Sequence, residues 1–220
     1  MRHRSYIFLC ILLILSLLPM AGCTSAPSPA ASPTAAPVSS APTEAPPETA
    51  PALPTDAYGT EPVPEGKPQP VEPQDAEISD VEHHCTISIS CATILDNMEK
   101  CKKDKRELVP EDGWLLEPTE VVFYGGESVF NVLQRTCRQR KIHMEFAETP
   151  IYGSAYIEGI GNLYELDVGD LSGWMYSVNG WFPNYGCGRY AIKDGDVIEF
   201  VYTCDLGADV GDDYMVQSGE

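Results

Sequence analysis

Proline is concentrated in one part of this chain, and that concentration limits where a folded domain can form. Fourteen of the 19 prolines lie between residues 24 and 80, among Ala, Ser, Thr and Glu. Large apolar side chains are few there, so the segment buries too little surface to offset the entropy of ordering. We predict a disordered linker over residues 23–80, a folded domain over 81–213 and a tail over 214–220. The linker is either a stiff polyproline spacer or a flexible tether of no particular length.

The first 22 residues have the features of a secretory signal. Arg2 and Arg4 precede an apolar run over residues 6–18, which is shorter than the roughly 20 residues that a spanning helix needs. The run leads to Ala21-Gly22-Cys23, which resembles the lipobox of bacterial lipoproteins. The resemblance implies cleavage before Cys23, acylation of its sulfur, and anchoring in the lipid bilayer at the extracellular face of a bacterial cell membrane. The alternative is an ordinary secretory signal with an incidental cysteine.

The charge of the mature chain argues against one class of partner. Removal of the signal takes away two basic residues and no acidic ones, which leaves 12 basic residues against 33 acidic and a net charge of −21. Binding to a phosphate backbone requires positive charge. We therefore expect no nucleic-acid partner.

The domain contains an even number of cysteines, which in an exported protein indicates disulfide bonds. The six are Cys85, Cys91, Cys101, Cys137, Cys187 and Cys204. A zinc site that recruits His83 and His84 is the alternative, but the cysteine spacings match no CxxC-type site. We predict disulfides and no metal.

The pattern of apolar residues predicts an α+β domain. Strict alternation over Cys85–Cys91 is typical of a half-buried strand, and Ser128 is a good N-cap for a helix that turns Val129, Leu133 and Cys137 toward the core. A second, short exposed helix is predicted over residues 94–106. Further extended segments are predicted over residues 115–124, 142–146, 155–157, 174–178 and 197–203. One main helix with several strands indicates the α+β class.

Two motifs in the second half of the domain carry a resemblance to a known family. They are Gly173-Trp-Met-Tyr-Ser-Val-Asn-Gly180 and Asp194-Gly-Asp-Val-Ile198, preceded by Gly126–Leu133 at the start of the helix. The chain resembles the bacterial domain of unknown function described as similar to the transcobalamin C-terminal domain. The resemblance implies a small β-grasp-like sheet packed on one main helix. In transcobalamin and intrinsic factor this domain closes over cobalamin together with a larger helical domain. Residues 1–80 of the present chain are predicted to be signal and linker, so they leave no room for such a helical domain.

The same resemblance implies a set of disulfide pairs. In a β-grasp domain the first and last strands are central, parallel neighbours, so their like ends lie close together. This arrangement pairs Cys91 with Cys204 and Cys85 with Cys187, and leaves Cys101 for Cys137.

Aromatic residues cluster around the Asn179-Gly180 turn and are the candidates for ligand binding. Alternation places Trp174 on an inner face together with Tyr176, whereas the neighbouring turn residues favour exposure of Trp181. Exposed rings can stack on a corrin, a sugar or a peptide. The complete candidate set is Trp174, Trp181, Phe182, Tyr185 and Tyr190, of which Trp181, Phe182 and Tyr185 are predicted to be exposed.

The sequence contains no recognisable acid–base or nucleophile set, so we expect a protein that is not an enzyme. The carboxylates over residues 205–213 do not have the spacing of a calcium loop and are predicted to be a solvated acidic end. The favoured function is a surface-anchored extracellular binding module without a cofactor, with a corrinoid such as cobalamin as a candidate ligand at the aromatic hairpin. The alternative is a structural or adhesive cell-surface domain that binds protein or wall glycan.

Overall fold

The computed structural model describes residues 56–212, so the signal, Cys23, most of the predicted linker and the tail lie outside the described residues. Among the described residues the strands and the α-helix follow one another with single turns of 3-10 helix between some of them. Their order is β1 (Glu82–Ser90), β2 (Trp114–Tyr124), α1 (Val129–Arg140), β3 (Met144–Thr149), β4 (Ser154–Ile160), β5 (Leu163–Tyr164), β6 (Gly173–Val178) and β7 (Val197–Thr203). The predicted α+β class is confirmed.

The first and last strands meet at the centre of a four-stranded sheet. The order of its strands is β2-β1-β7-β6, and Thr86–Ser90 of β1 runs parallel to Val197–Val201 of β7. The other two pairings in this sheet are antiparallel. A second sheet has the order β3-β4-β5. The expected adjacency of the first and last strands is thus present.

Helix α1 packs its apolar face against the four-stranded sheet. Ser128 begins the helix with a capping box, in which Asn131 N donates to the Ser128 hydroxyl and the Asn131 side chain accepts from Ser128 N. Val132 and Leu133 are fully buried in one core cluster with Ile87 and Phe200. The alternation of β1 and β7 supplies the opposing apolar surface.

The predicted helix over residues 94–106 is wrong as an α-helix. The structure has only short 3-10 turns there, at Ala92–Asn97 and Arg106–Leu108. The segment between these two turns is held by contacts with Asp167. The Asp167 backbone carbonyl accepts from Lys102 N at 2.9 Å, and the Asp167 carboxylate pairs with Lys102 Nζ at 3.0 Å. These contacts replace the backbone bonds that a continuous helix would need.

Residues 56–79, here called the strap, lie against the domain, although the sequence predicted a disordered linker as far as residue 80. Ser79 N donates to Gly125 O at 2.8 Å. A Cβ on Gly126 would lie 2.3 Å from Glu77 O, so the strap backbone fits closely over this glycine. The folded unit therefore begins earlier than residue 81, and its first part is held by polar contacts together with Val63, which packs against the main core cluster. Within residues 56–212, no helix is both long enough and apolar enough to cross a membrane.

Candidate functional site

One connected aromatic cluster lies around the end of β6 and consists of Tyr176, Trp181, Tyr185, Tyr190 and Phe200. Tyr185 stacks on Tyr190 with ring centres 6.2 Å apart, and Trp181 meets Tyr185 edge-on at 6.0 Å. Tyr176 continues the cluster inward, since it lies edge-on to Tyr190 at 6.4 Å and stacks on Phe200 at 6.0 Å. The cluster thus runs from the surface into the core.

The Asn179-Gly180 turn positions the outer end of this cluster. Both residues have left-handed backbone conformations, with φ of 53° and 73°, as a tight hairpin turn requires. A single bridge between Val178 and Trp181 closes this hairpin. The rest of β6 pairs with β7 and not with the residues that follow the turn. The Asn179 side chain fastens the turn to β7, as its amide donates to Asp196 Oδ1 and its carbonyl accepts from Val197 N.

The five predicted ligand-binding residues divide into inner and outer members. Trp174 belongs to the inner set, as its Nε1 donates to Leu163 O at 2.8 Å and its ring lies edge-on to Tyr202. Tyr190 is buried, with 3% of its surface exposed. Trp181 and Phe182, which were predicted to be exposed, are only partly exposed, as is Trp174. The prediction that Tyr185 is exposed is wrong: it is 7% exposed, because the strap covers it.

Burial disfavours ionisation of the tyrosine hydroxyls in this cluster. It raises the pKa of Tyr190 to about 12, and raises that of Tyr185 further. The buried Tyr176 hydroxyl donates to Tyr185 O at 2.8 Å, and the Tyr185 hydroxyl donates to Pro68 O of the strap at 2.7 Å. The cluster therefore uses its hydroxyls as donors that position backbone, including the backbone of the strap.

Arg189 is the charged centre beside the aromatic cluster. Its side chain is 1% exposed, and its guanidinium reaches two carboxylates of the strap, Asp56 at 2.5 Å and Glu72 at 3.1 Å. It also donates to Thr60 Oγ1 at 2.7 Å and to Val71 O at 3.4 Å. A turn in which Lys67 N donates to Pro64 O lies between the two carboxylates. Fully buried arginine is rare unless it is paired, and here the strap supplies the pairing.

The Asp56 carboxylate is held in its ionised form. Desolvation opposes its ionisation, but hydrogen bonds from Arg189 and Thr60 and from the Tyr58 backbone outweigh it, so the pKa of Asp56 lies well below its usual range. The strap is therefore attached to the domain by charge as well as by shape.

Tyr58 divides the space beneath the strap into two clefts. Its ring lies 4.6 Å from the Arg189 guanidinium carbon, and a Cβ on Gly153 would lie 2.5 Å from the ring. One cleft has a volume of about 640 Å³ and the other about 400 Å³, with Tyr58, Thr149, Ser154 and Ala155 in the walls of both. The larger is bounded by the later part of the strap, the start of α1 and the β3–β4 turn, and the smaller by Gly59, Thr60, Glu61 and residues 183–186.

Sequence reasoning missed Arg189, Tyr58 and the acidic residues that join them. The only available signal was Arg189 itself, a basic residue beside Tyr190 in a strongly acidic chain. Its partners lie more than a hundred positions away, in a segment that composition assigned to disorder. Asn184, whose amide donates to Glu61 O at 3.1 Å, was missed for the same reason.

The six predicted disulfide cysteines are buried and have free thiols in the structure. They divide between two core clusters: Cys85, Cys137 and Cys187 lie in one, and Cys91, Cys101 and Cys204 in the other. The predicted pair Cys101–Cys137 joins different clusters, so the burial pattern does not support it. Burial raises the pKa of the Cys85 thiol to about 11 and of Cys91, Cys137 and Cys187 to about 12. No group of three or more potential metal ligands with suitable placement occurs among residues 56–212.

Comparison with known proteins identifies similarity over part of the chain. Residues 126–203 match the family described as "Domain of unknown function (DUF4430)". No curated protein matches the sequence. The fold is similar to that of haptocorrin in complex with Cbi, at 16% identity and a TM-score of 0.41, over 58% of this chain and 26% of that one. The matched part of this chain spans about a quarter of the length of the haptocorrin chain. A candidate metal-binding protein from Ruminococcus gnavus ATCC 29149 is similar at 18% identity and a TM-score of 0.31, over 55% of this chain and 96% of that one.

Proposed function

We propose that this chain is a binding protein rather than an enzyme, tethered to the outer face of a bacterial membrane, with a β-grasp-like domain that holds a small ligand beneath the strap. The observation that carries the proposal is the pair of clefts on either side of Tyr58. Their volumes of about 640 and 400 Å³ fall within the range of natural ligand sites, about 300–1,000 Å³.

The lining of the larger cleft indicates the class of ligand. Ser128, Asn131 and Thr149 offer neutral hydrogen-bonding groups, and Glu148 is its one charged lining residue. In the smaller cleft the Arg189 charge is already neutralised by the strap. These walls suit a neutral or cationic ligand that carries amide or hydroxyl groups. A corrinoid such as cobalamin, whose ring bears neutral amides, is the first ligand to test, although it is larger than either cleft and would enter only by an amide-bearing edge.

Binding is tested by thermal shift of the mature chain with cobalamin and a panel of other amide-rich and hydroxyl-rich small molecules. A ligand that binds only the native state adds about 2.7 kcal/mol to the free energy of unfolding at a hundredfold excess over Kd, and it therefore raises the melting temperature. Ala76→Trp places a bulky ring at an exposed position in the wall of the larger cleft. Ala57→Trp is the matched control, because Ala57 is exposed and lines neither cleft.

The expected result is a shift that Ala76→Trp abolishes and Ala57→Trp preserves. Equal shifts in both variants would place the ligand elsewhere. If no member of the panel shifts the melting temperature, small-ligand binding is rejected in favour of the alternative, an adhesive domain for protein or wall glycan.

The anchoring part of the proposal depends on Cys23, which lies outside the described residues. Cys23→Ala should release the protein from the membrane fraction of the native bacterium, since acylation of this sulfur is the proposed attachment. Cys10→Ala, in the apolar run of the signal, is the matched control and should leave fractionation unchanged. Retention of Cys23→Ala in the membrane fraction would refute lipid anchoring without affecting the ligand site.

A further inference from the structure

The groove that receives the strap has the properties of a polypeptide-binding site. Every partner that neutralises or hydrogen-bonds the Arg189 guanidinium in the described contacts comes from the strap: Asp56, Thr60, Val71 and Glu72. A buried charge without a partner is costly, so the groove strongly favours an occupant that carries carboxylates.

The groove also contacts the backbone of its occupant. The Tyr185 hydroxyl donates to Pro68 O, and the Asn184 amide donates to Glu61 O. Val71 N donates to Arg189 O at 2.9 Å, which pairs the two main chains at this point. Contacts to carbonyl and amide groups do not depend on the side chains of the occupant, so any segment of suitable shape can make them.

Proline and an aromatic surface complete the complementarity. The strap contains Pro62, Pro64, Pro68 and Pro70, which lower the entropy that the segment loses when it is ordered. Lys67 Nζ lies 5.3 Å from the centre of the Trp181 ring. Aromatic grooves that receive proline-rich segments are a recurring mode of peptide recognition.

We propose that this groove is a polypeptide-binding site, occupied in cis by the strap, that accepts from a partner protein a proline-rich segment whose carboxylates pair with Arg189. The strap supplies part of the walls of both clefts, so a partner segment that displaces it would compete with the small ligand proposed above. Covalent attachment gives the strap an effective concentration of the order of millimolar at the groove. A partner segment therefore binds only if it is concentrated enough, or binds tightly enough, to displace the attached strap, or if the strap has been released.

The experiment uses the full mature chain with a protease recognition sequence in place of Pro73–Ala76, four exposed residues near the end of the strap. Cleavage leaves the strap held only by its contacts with the groove. The probe is a fluorescent synthetic peptide of residues 56–72, titrated against the cleaved chain and followed by polarisation. Saturable binding that displaces the N-terminal fragment is expected.

Two peptides with the same loss of charge test the role of Arg189. In one, Asp56→Asn and Glu72→Gln remove the carboxylates that contact the guanidinium. In the other, Glu61→Gln and Glu65→Gln remove two exposed carboxylates that do not. The first should bind at least about tenfold more weakly, since charge-assisted hydrogen bonds are lost, and the second should bind like the original.

The domain side is tested with Tyr185→Phe, which removes the donor to Pro68 O but keeps the ring. Affinity for the peptide should fall about threefold to tenfold. Tyr164→Phe is the control, because its hydroxyl contacts Glu145 rather than the strap. If cleavage unfolds the domain, the same titration is performed on the uncleaved Tyr58→Ala chain, in which the strap is weakened.

Three results would overturn the proposal. One is the absence of saturable peptide binding at millimolar concentration by a natively folded chain. Another is equal binding of the two charge-reduced peptides, which would remove Arg189 from recognition. The third is a dimer of the uncleaved Tyr58→Ala chain that forms by exchange of straps, since the occupant would then be a second copy and not a different protein.

Discussion

The guanidinium carbon of Arg189 lies 4.6 Å from the centre of the Tyr58 ring, although the two residues belong to opposite ends of the described chain. The ring covers one face of a buried cation whose edge is occupied by Asp56 and Glu72. The Arg189 side chain thus makes both a cation–π contact and two ion pairs with the strap, so substitution of Arg189 tests most of the attachment of the strap.

Arg189→Ala should destabilise the domain by about 2–3 kcal/mol. Loss of one partner from a buried ion pair costs about 3–5 kcal/mol, and the value is lower here because Asp56 and Glu72 remain partly exposed. Urea denaturation of the two proteins gives the difference. Arg106→Ala is the control, since Arg106 contacts backbone carbonyls far from the strap; an equal loss there would show that Arg189 has no special role.

Gly153→Ala should destabilise the domain more than Gly180→Ala. Both glycines have positive φ, of 59° and 73°, so alanine costs about 1 kcal/mol at either site. At Gly153 the added Cβ would also meet the Tyr58 ring at 2.5 Å, whereas nothing lies within 4 Å of a Cβ at Gly180. The difference in unfolding free energy between the Gly153→Ala and Gly180→Ala proteins measures the clash of the added methyl group with the Tyr58 ring. This difference should vanish in a Tyr58→Ala background.

The contribution of Asp56 should depend on pH. Its pKa is lower in the folded state than in the unfolded state, so ionisation stabilises the fold fully above the unfolded value of about 4. That stability is lost as the pH falls below about 4 toward the folded pKa. The difference in unfolding free energy between the native chain and Asp56→Asn should therefore be constant near pH 7 and shrink below pH 4. A difference that grows on acidification would contradict the ion pair.

Trp174→Ala should destabilise the domain by about 3–5 kcal/mol, as expected for loss of a large core ring. Its indole also donates to Leu163 O, which would be left without this donor. Trp181→Ala should cost less, about 1–2 kcal/mol, because both rings are partly exposed but Trp181 packs against one core cluster whereas Trp174 packs against both. Thermal or urea unfolding separates the two, and equal losses would show that Trp181 is as much a core residue as Trp174.

Any disulfides that form in this protein should form within the two cysteine clusters. Cys91 and Cys204 share one cluster and Cys85 and Cys187 the other, so the burial pattern does not separate the members of these two predicted pairs. Peptide mapping under non-reducing conditions identifies the pairs that form. A bond between Cys101 and Cys137 would require a different arrangement of the core from the one described.

The central part of the fold could be predicted from local patterns. Alternation identifies Ile87 and Ile89 on β1 and Phe200 on β7, and the Ser128 cap with its apolar helical face identifies α1. These elements are long enough for periodicity to be decisive. Strand β5, with two residues, is too short for any such signal.

The candidate site was only partly predictable, because its decisive contacts are distant in sequence. Trp181 and the Asn179-Gly180 turn were recognisable from residue type. Exposure of Tyr185 was inferred from neighbouring turn residues, but the strap covers that ring. The composition of the strap indicates disorder when read alone, and it gives no sign that Asp56 and Glu72 pair with a buried arginine far away in the sequence.

The parallel pairing of β1 with β7 has a consequence for the folding of a newly synthesised chain. The central ladder joins residues 86–90 to residues 197–201, so the middle of the sheet cannot assemble until nearly the whole domain is available. Contacts of such long sequence separation slow folding, because a large loop must close before they form. A chain that crosses the membrane from its N-terminus would therefore stay unfolded, and competent for translocation, until β7 has been synthesised.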